Sequence, residues 1–382
     1  MIKLAVLFGG RSAEHEISII TALQMIEAMD TLKYDITPVY IDQNGFWYVG
    51  RELLDKSIYK SFSSYKSRLK RVVLLPQPGE PGLKILGSKS DYISIELYFL
   101  SFHGQYGEDG CVQGLMEMAD VVYTGCNTLA SAVAMNKHIC KRVVSDLNIP
   151  VLPSVRLAKD SMLADAEQAV GEIFNCKELG DRYFVKPVNL GSSIGVGKAL
   201  DKKTLYESLA RAFKYDREVL VEKYLDHMRE VNISIFSDID GLKASLAEVP
   251  VASKDTLTYE DKYLRGAKNK GVDSSGGMAS LTRELDPSYL ESNIKDEIRD
   301  YAQKIYSSLG CSGVVRFDFY IDLDTDTIYF NELNAVPGSW AFYLWEHSYL
   351  YTEIIDKIIE AAFRTYAIKL SVKVDLNFKA LR

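Results

Sequence analysis

The sequence predicts an α/β protein whose C-terminal half turns to α+β. Three observations carry this. The chain opens with an apolar run at residues 3–8 (KLAVLF), a Gly9-Gly10 turn, an amphipathic stretch and a second apolar run. That order of strand, turn, helix and strand begins a doubly wound domain. Far downstream, residues 316–334 (RFDFYIDLDTDTIYFNELN) alternate apolar and polar side chains on both sides of a polar centre, as an antiparallel hairpin does. The length of 382 residues leaves room for two or three domains.

Composition narrows the class. Charged residues make up 25% and hydrophobic ones 47%, ordinary for a globular protein. A formal net charge of −7 gives no general attraction to nucleic acid or anionic lipid. Five cysteines, Cys111, Cys126, Cys140, Cys176 and Cys311, form no CxxC pair, which points to reduced thiols in a cytosol. The first residues lack a signal-peptide pattern, and no apolar stretch approaches the roughly 20 residues of a membrane span. The expectation is a cytoplasmic protein.

Taken in order, a helix is expected over residues 15–29 with Ile17, Ile20, Ala22 and Met25 toward the core, then a strand at 36–41. Gly9-Gly10 lacks the third glycine of GxGxxG, so a dinucleotide reading is weak. Residues 43–92 read as a decorating insertion. A strand over 92–100 returns to the sheet and delivers His103 in a glycine-rich loop, where α/β domains bind ligands. Residues 127–147 have one helical pattern. A strand at 183–187 runs into a Gly/Ser loop, 188–198, beside lysine. Its free N–H groups make it a candidate phosphate cradle, and Ala199 rules out a P-loop. Strands at 218–224 and 230–236 precede a long polar loop, 254–277, functional by its length. A helix over 290–309 leads into the hairpin, a Pro337-Gly338 turn and a helix at 351–367 follow, and residues 368–379 alternate like an edge strand.

The hairpin carries the chemistry. Side chains two apart share a face, so centring the turn on Thr325 places Asp318 opposite Glu332 and Arg316 opposite Asn334. Two opposed carboxylates repel, and an oxygen-ligated cation such as magnesium between them relieves this. Asp322, Asp324 and Asp326 have EF-hand spacing, but Thr327 and Leu333 stand where that loop needs glycine and glutamate, leaving a solvated turn.

Seven blocks in order resemble one family: LFGGRSAEHEIS, FHGQYGEDGCVQGLMEMADVVYTGCN, ASAVAMNKHICKRVV, YFVKPVNLGSSIGVGKA, VLVEKYL, TYEDKYL and RFDF…NELN…PG. The chain is similar to the D-alanine–D-alanine ligases of the ATP-grasp superfamily. That resemblance implies an ATP-grasp fold behind an N-terminal doubly wound domain, with domains at 1–125, 126–216 and 217–382. It implies a ligase that phosphorylates a carboxylate with ATP and lets a second amino acid displace phosphate, giving D-alanyl-D-alanine for peptidoglycan. Two Mg2+ ions, with Mn2+ as the alternative, would be held by Asp318, Glu332 and Asn334. Arg316 and the Gly338 backbone would stabilise the transferring group and the oxyanion. Lys137, Lys186 and Lys262 would meet phosphates under lid amides of Ser193 and Gly195. Glu222 with Lys223, Tyr224 and Leu225 would read adenine, and Glu230 the ribose. Glu14 would take the first substrate's ammonium beside His103, with Ser192 and Tyr263 linking across the site. The family also implies a homodimer.

The chain departs from the family after Gly338, where Tyr343 stands in place of an acceptor-binding serine, and in a longer loop at 265–277. Both bear on the second substrate. A ligase for another amino acid or D-lactate is therefore the alternative, followed by a nucleotide-binding module without catalysis and a dinucleotide oxidoreductase.

Overall fold

The computed structural model describes residues 1–80, 82–251 and 283–372. Three sheets organise them. The first has the order β6-β5-β4-β3-β2-β1-β7, with β1 (Ile2–Gly9), β2 (Tyr34–Ile41), β3 (Trp47–Val49), β4 (Lys70–Leu74), β5 (Gly82–Ile85), β6 (Tyr92–Ser94) and β7 (Leu97–Leu100). β1 lies parallel to β2 and β7. Both its faces are covered: Leu4, Val6 and Phe8 join one apolar cluster, Ala5 and Leu7 another. This is why its sequence is continuously apolar. Helix α1 (His15–Ala28) covers the first face and α2 (Cys111–Ala119) the second.

The segment expected as a decoration is structural. Strands β3 to β6 extend the sheet as an antiparallel run, and Val49, Val72, Leu74 and Leu83 are buried in the second cluster. The expected single helix at 127–147 is two, α3 (Thr128–Met135) and α4 (Lys137–Asp146). The side chain of Asn136 accepts from Ile139 N at 3.0 Å, an N-cap that starts a new helix.

The second sheet, β10-β9-β11-β8, holds β8 (Ser154–Ala158), β9 (Tyr183–Pro187), β10 (Gly197–Ala199) and β11 (Glu218–Lys223). The third runs β15-β14-β12-β16-β17, with β13 (Gly241–Ala244) also paired to β12 (Met228–Asp238). Its other members are β14 (Glu248–Pro250), β15 (Arg283–Leu285), β16 (Val315–Asp322) and β17 (Ile328–Asn334). The helix Ser292–Ser308 packs beneath it through Ile298, Ala302 and Ile305. The chain then returns to the first sheet. Trp340, Leu344, and Ile354, Ile355 and Ile358 of the helix Tyr351–Leu370 share a cluster with Leu4, Val6 and Phe8. That helix includes residues 368–370, expected as part of an edge strand, and Ser371 caps it; residues 373–379 of that segment lie outside the described residues. Among the described residues no helix is long and apolar enough to cross a membrane.

Candidate active site

Glu14 precedes α1 at the carboxyl end of β1 and is buried. Ser192 Oγ donates to its Oε1, while Oε2 has no hydrogen-bond partner among the described residues. Two glycines make room for it. A Cβ on Gly104 (φ +79°) would strike Ser12 and Glu14, and one on Gly191 would lie 3.2 Å from both carboxylate oxygens. Burial, reinforced by Glu108, pushes the Glu14 carboxyl above its ordinary 4.5. A buried carboxyl with a spare oxygen is suited to a cationic ligand. His103 stands alongside, Nε2 at 2.9 Å from Thr21 Oγ1 and Nδ1 at 3.9 Å from Glu108.

A cavity of about 330 Å³ opens between the second and third sheets, bounded by Lys137, Lys186, Ser192, Ser193, Glu230, Tyr320, Asn331 and Glu332. Ser192 and Ser193 both have left-handed backbones, at φ +53° and +56°. Gly195, at φ +76°, lies where a Cβ would be 2.8 Å from the Tyr215 ring. Lys137, at the start of α4, donates to Leu190 O at 2.7 Å and sits 3.5 Å from Glu332. Lys186 on β9 donates to Asn331 Oδ1 at 2.9 Å and pairs with Glu222 at 2.5 Å. Glu222 is 1% exposed and also pairs with Lys141 at 2.5 Å. Burial works to raise the Glu222 carboxyl, but the two ammoniums prevail and hold it below its ordinary value. Glu222 to Leu225 border a small recess next to the cavity. The N–H groups of Lys223 and Tyr224 are taken by Pro153 O and Arg182 O, and Lys198 Nζ lies 3.9 Å over the Tyr224 ring.

The hairpin has the expected register at its inner end: Arg316 opposite Asn334 and Asp318 opposite Glu332. Beyond Asp318 it shifts, because Phe319 pairs with Phe330. Asn331 is the extra residue of a β-bulge, which re-aims it so that it lines the cavity with Glu332. Arg316 grips Asp318 through Nε (2.7 Å) and Nη2 (2.8 Å), and Asn334 Nδ2 is 3.1 Å from the same carboxylate. Two opposed carboxylates and an amide whose oxygen is presented by turning it over form a hard-oxygen donor set. It fits a divalent cation completed by water and phosphate oxygens.

Past the hairpin, Ser339, Trp340 and Ala341 take three successive left-handed conformations, φ +50° to +52°. Tyr343 is 3% exposed. Its hydroxyl accepts from Arg316 Nη1 at 3.2 Å, and Arg283 Cζ lies 3.7 Å over its ring. Arg283 pairs with Glu248 at 3.1 Å, whose carboxyl burial pushes up. Lys262 and Tyr263 lie outside the described residues. Lys141, Asn331, Glu108, Glu248 and Arg283 join the site without having been expected there. Lys141 carried a signal, standing four residues from Lys137 on one helix face.

Two family models, described as D-ala D-ala ligase N-terminus and C-terminus, match residues 3–126 and 143–360. A D-alanine–D-alanine ligase of Thermosipho africanus is 34% identical, covering 100% of this chain and 99% of its own. One from Sodalis glossinidius is 35% identical over 94% of each. A Coxiella burnetii D-alanine–D-alanine ligase superposes with a TM-score of 0.78 at 24% identity, covering 97% and 98%. The VanG D-Ala:D-Ser ligase of Enterococcus faecalis does so at 0.77 and 28%, covering 94% and 99%. A Bacillus anthracis ligase solved with ATP gives 0.65 at 23%, covering 96% and 99%. The fold is ATP-grasp, and the chain belongs to the D-alanine–D-alanine ligase family.

Proposed function

We propose that this protein joins two D-alanine molecules at the expense of ATP, releasing ADP and phosphate, for peptidoglycan synthesis. The observation that carries this reading is the pairing of a buried carboxyl with a spare oxygen, Glu14, with a lysine-lined cavity reached through the same Ser192-Ser193 loop. An amino-acid ammonium suits the first and a polyphosphate the second.

In this reading Glu14 ionises on taking the first D-alanine's ammonium, and His103 and Ser192 fix its orientation. Lys137 and Lys186 neutralise phosphate charge, the Ser193–Gly195 backbone covers it, and Glu230 meets the ribose. The adenine lies at the Glu222–Leu225 recess, read by backbone carbonyls and Leu225. Asp318, Glu332 and Asn334 hold magnesium, which when bound neutralises phosphate charge. Arg316 stabilises the phosphoryl group as it moves to the D-alanine carboxylate. The acyl phosphate replaces an oxide leaving group by phosphate. Attack by the second amine then passes through an oxyanion stabilised by Arg316 and the Gly338 backbone. Lys262 and Tyr263 are assigned to phosphate contact and to the hydrogen-bonded link from Ser192. The three units divide near residues 125 and 216, and the protein acts in the cytoplasm as a homodimer.

Mass spectrometry of the product from a mixed pool of D- and L-amino acids with ATP and magnesium tests the reading. D-Alanyl-D-alanine is expected. A different acceptor incorporated in preference to D-alanine would replace it, and no dipeptide at all would remove the ligase assignment.

A further inference from the structure

The residue standing where the family has its acceptor-binding serine faces a different task here. Tyr343 is almost wholly buried, its hydroxyl is engaged by Arg316, and the Arg283 guanidinium covers its ring. A side chain so enclosed does not meet a substrate directly. Arg316, by contrast, is fixed at both ends. Asp318 accepts from Nε and Nη2, and Tyr343 accepts from Nη1. A guanidinium carries five N–H donors in a rigid plane, so this grip leaves one hydrogen on each Nη for a ligand. Arg283 is itself anchored by Glu248 on β14, toward which Asn232 of β12 donates.

We propose that Tyr343 is a positioning residue for Arg316, held in place by Arg283 stacked on its ring, and not a ligand of the acceptor. This rests on the ligase reading. Arg316 serves the phosphoryl transfer and the oxyanion alike, so losing its alignment slows both steps. Losing a direct acceptor ligand would slow only the second. The left-handed turn at Ser339–Ala341 brings Tyr343 beneath Arg316 within five residues of Gly338.

The test uses the full chain with Tyr343→Phe, which keeps the ring and removes the hydroxyl. Two products are measured: dipeptide, and the hydroxamate formed when hydroxylamine replaces the acceptor at low D-alanine. In the second, hydroxylamine nitrogen bonds to the acyl carbon, the C–O bond to phosphate breaks, phosphate leaves with the electron pair, and nitrogen gives up a proton. Both rates should fall by the same factor, roughly 10- to 100-fold for a lost hydrogen bond to a charged group. The KM for ATP should hold, and the melting midpoint should fall by roughly a few degrees, since one buried donor loses its partner. A fall confined to dipeptide and expressed in acceptor KM overturns the proposal, and so does no change in either. If Tyr343→Phe does not fold, Arg283→Met serves: an equal several-fold loss in both products supports the proposal, and an acceptor-only loss or none overturns it. Wild-type protein forming neither product would overturn the ligase reading itself, an outcome separable from these.

Discussion

Glu222 is the shared counter-charge of two buried lysines, and replacing it with glutamine isolates what that charge does. Lys141 and Lys186 are 3% and 5% exposed at their side chains, each 2.5 Å from one Glu222 oxygen. Glutamine keeps the volume and one acceptor oxygen but leaves two ammoniums facing each other in a buried site. Removing one partner of a buried pair costs about 3–5 kcal/mol, a large part of the roughly 5–15 kcal/mol that holds a protein folded. The sign with pH follows from the shifts. Burial lowers the Lys141 pKa, and Glu222 is the principal force opposing it. Without Glu222 the folded state sheds that proton more readily than the unfolded state, so the variant gains stability as pH rises. In the wild type, the depressed Glu222 carboxyl contributes stability above its ordinary value, lost as pH falls through the folded one.

Urea unfolding followed by tryptophan fluorescence, from about pH 6 to about pH 9, measures this. The gap between wild type and Glu222→Gln should reach about 3 kcal/mol or more at the acid end and narrow with pH. Adding Lys141→Met should recover part of the loss, because the second charge no longer needs a partner. A gap under about 1 kcal/mol at low pH, or one that widens with pH, would show that Glu222 is not the counter-charge described.

Three further outcomes are expected. Asp318→Asn should cut phosphate release by roughly 10³-fold or more at saturating ATP, and chelating divalent cations should silence the wild type until magnesium is restored; an active variant would end the metal assignment. Glu14→Gln should raise the first-site KM for D-alanine roughly 10- to 100-fold with less effect on kcat. In the wild type that KM should fall as pH rises through the elevated Glu14 pKa, above the ordinary 4.5, because only the carboxylate attracts an ammonium; initial-rate profiles lacking this limb would refute the role. Asn331→Ala should raise the KM for ATP several-fold, since Lys186 loses the acceptor at 2.9 Å at a cost of about 1 kcal/mol.

The inner half of the hairpin was legible because side-chain alternation fixes register wherever one face is buried. Asp318, Glu332, Arg316 and Asn334 therefore pair as their spacing says. Alternation alone does not reveal the bulge, although the bulge leaves a trace. In an unbroken ladder Asn331 would point with Phe317 and Leu333 into the apolar cluster, and a lone amide out of phase there is the mark of an extra residue. Periodicity also hid the break at Asn136, since α3 and α4 both continue a helical pattern and only the capping side chain separates them. Residues 43–92 resemble a decoration for another reason. Short antiparallel strands, the first two joined by 3-10 turns over residues 51–68, give weak alternation, and their place in the sheet comes from burial against Leu7 and Tyr98, which no local window contains. The Glu222 bridge joins α4, β9 and β11, elements remote in sequence, so Lys141 could be placed on the Lys137 face but not paired.

The same long-range logic governs the turn after Gly338. Each left-handed residue costs roughly 1–2 kcal/mol, so Ser339, Trp340 and Ala341 together oppose folding by several. What offsets this is remote: Trp340 is fully buried with its ring 5.1 Å from that of Phe99 on β7, and Ser339 Oγ bonds Gln24 of α1 at 3.0 Å. Burying a large aromatic side chain recovers a comparable few kcal/mol. The turn is therefore stable only while docked on the first sheet, which also carries Glu14. The end of the site near Tyr343 and the end near Glu14 are thus fixed to one apolar cluster. The departure from the family pattern expected over 339–345 falls in the segment at one end of the site and leaves the anchor of the other unchanged.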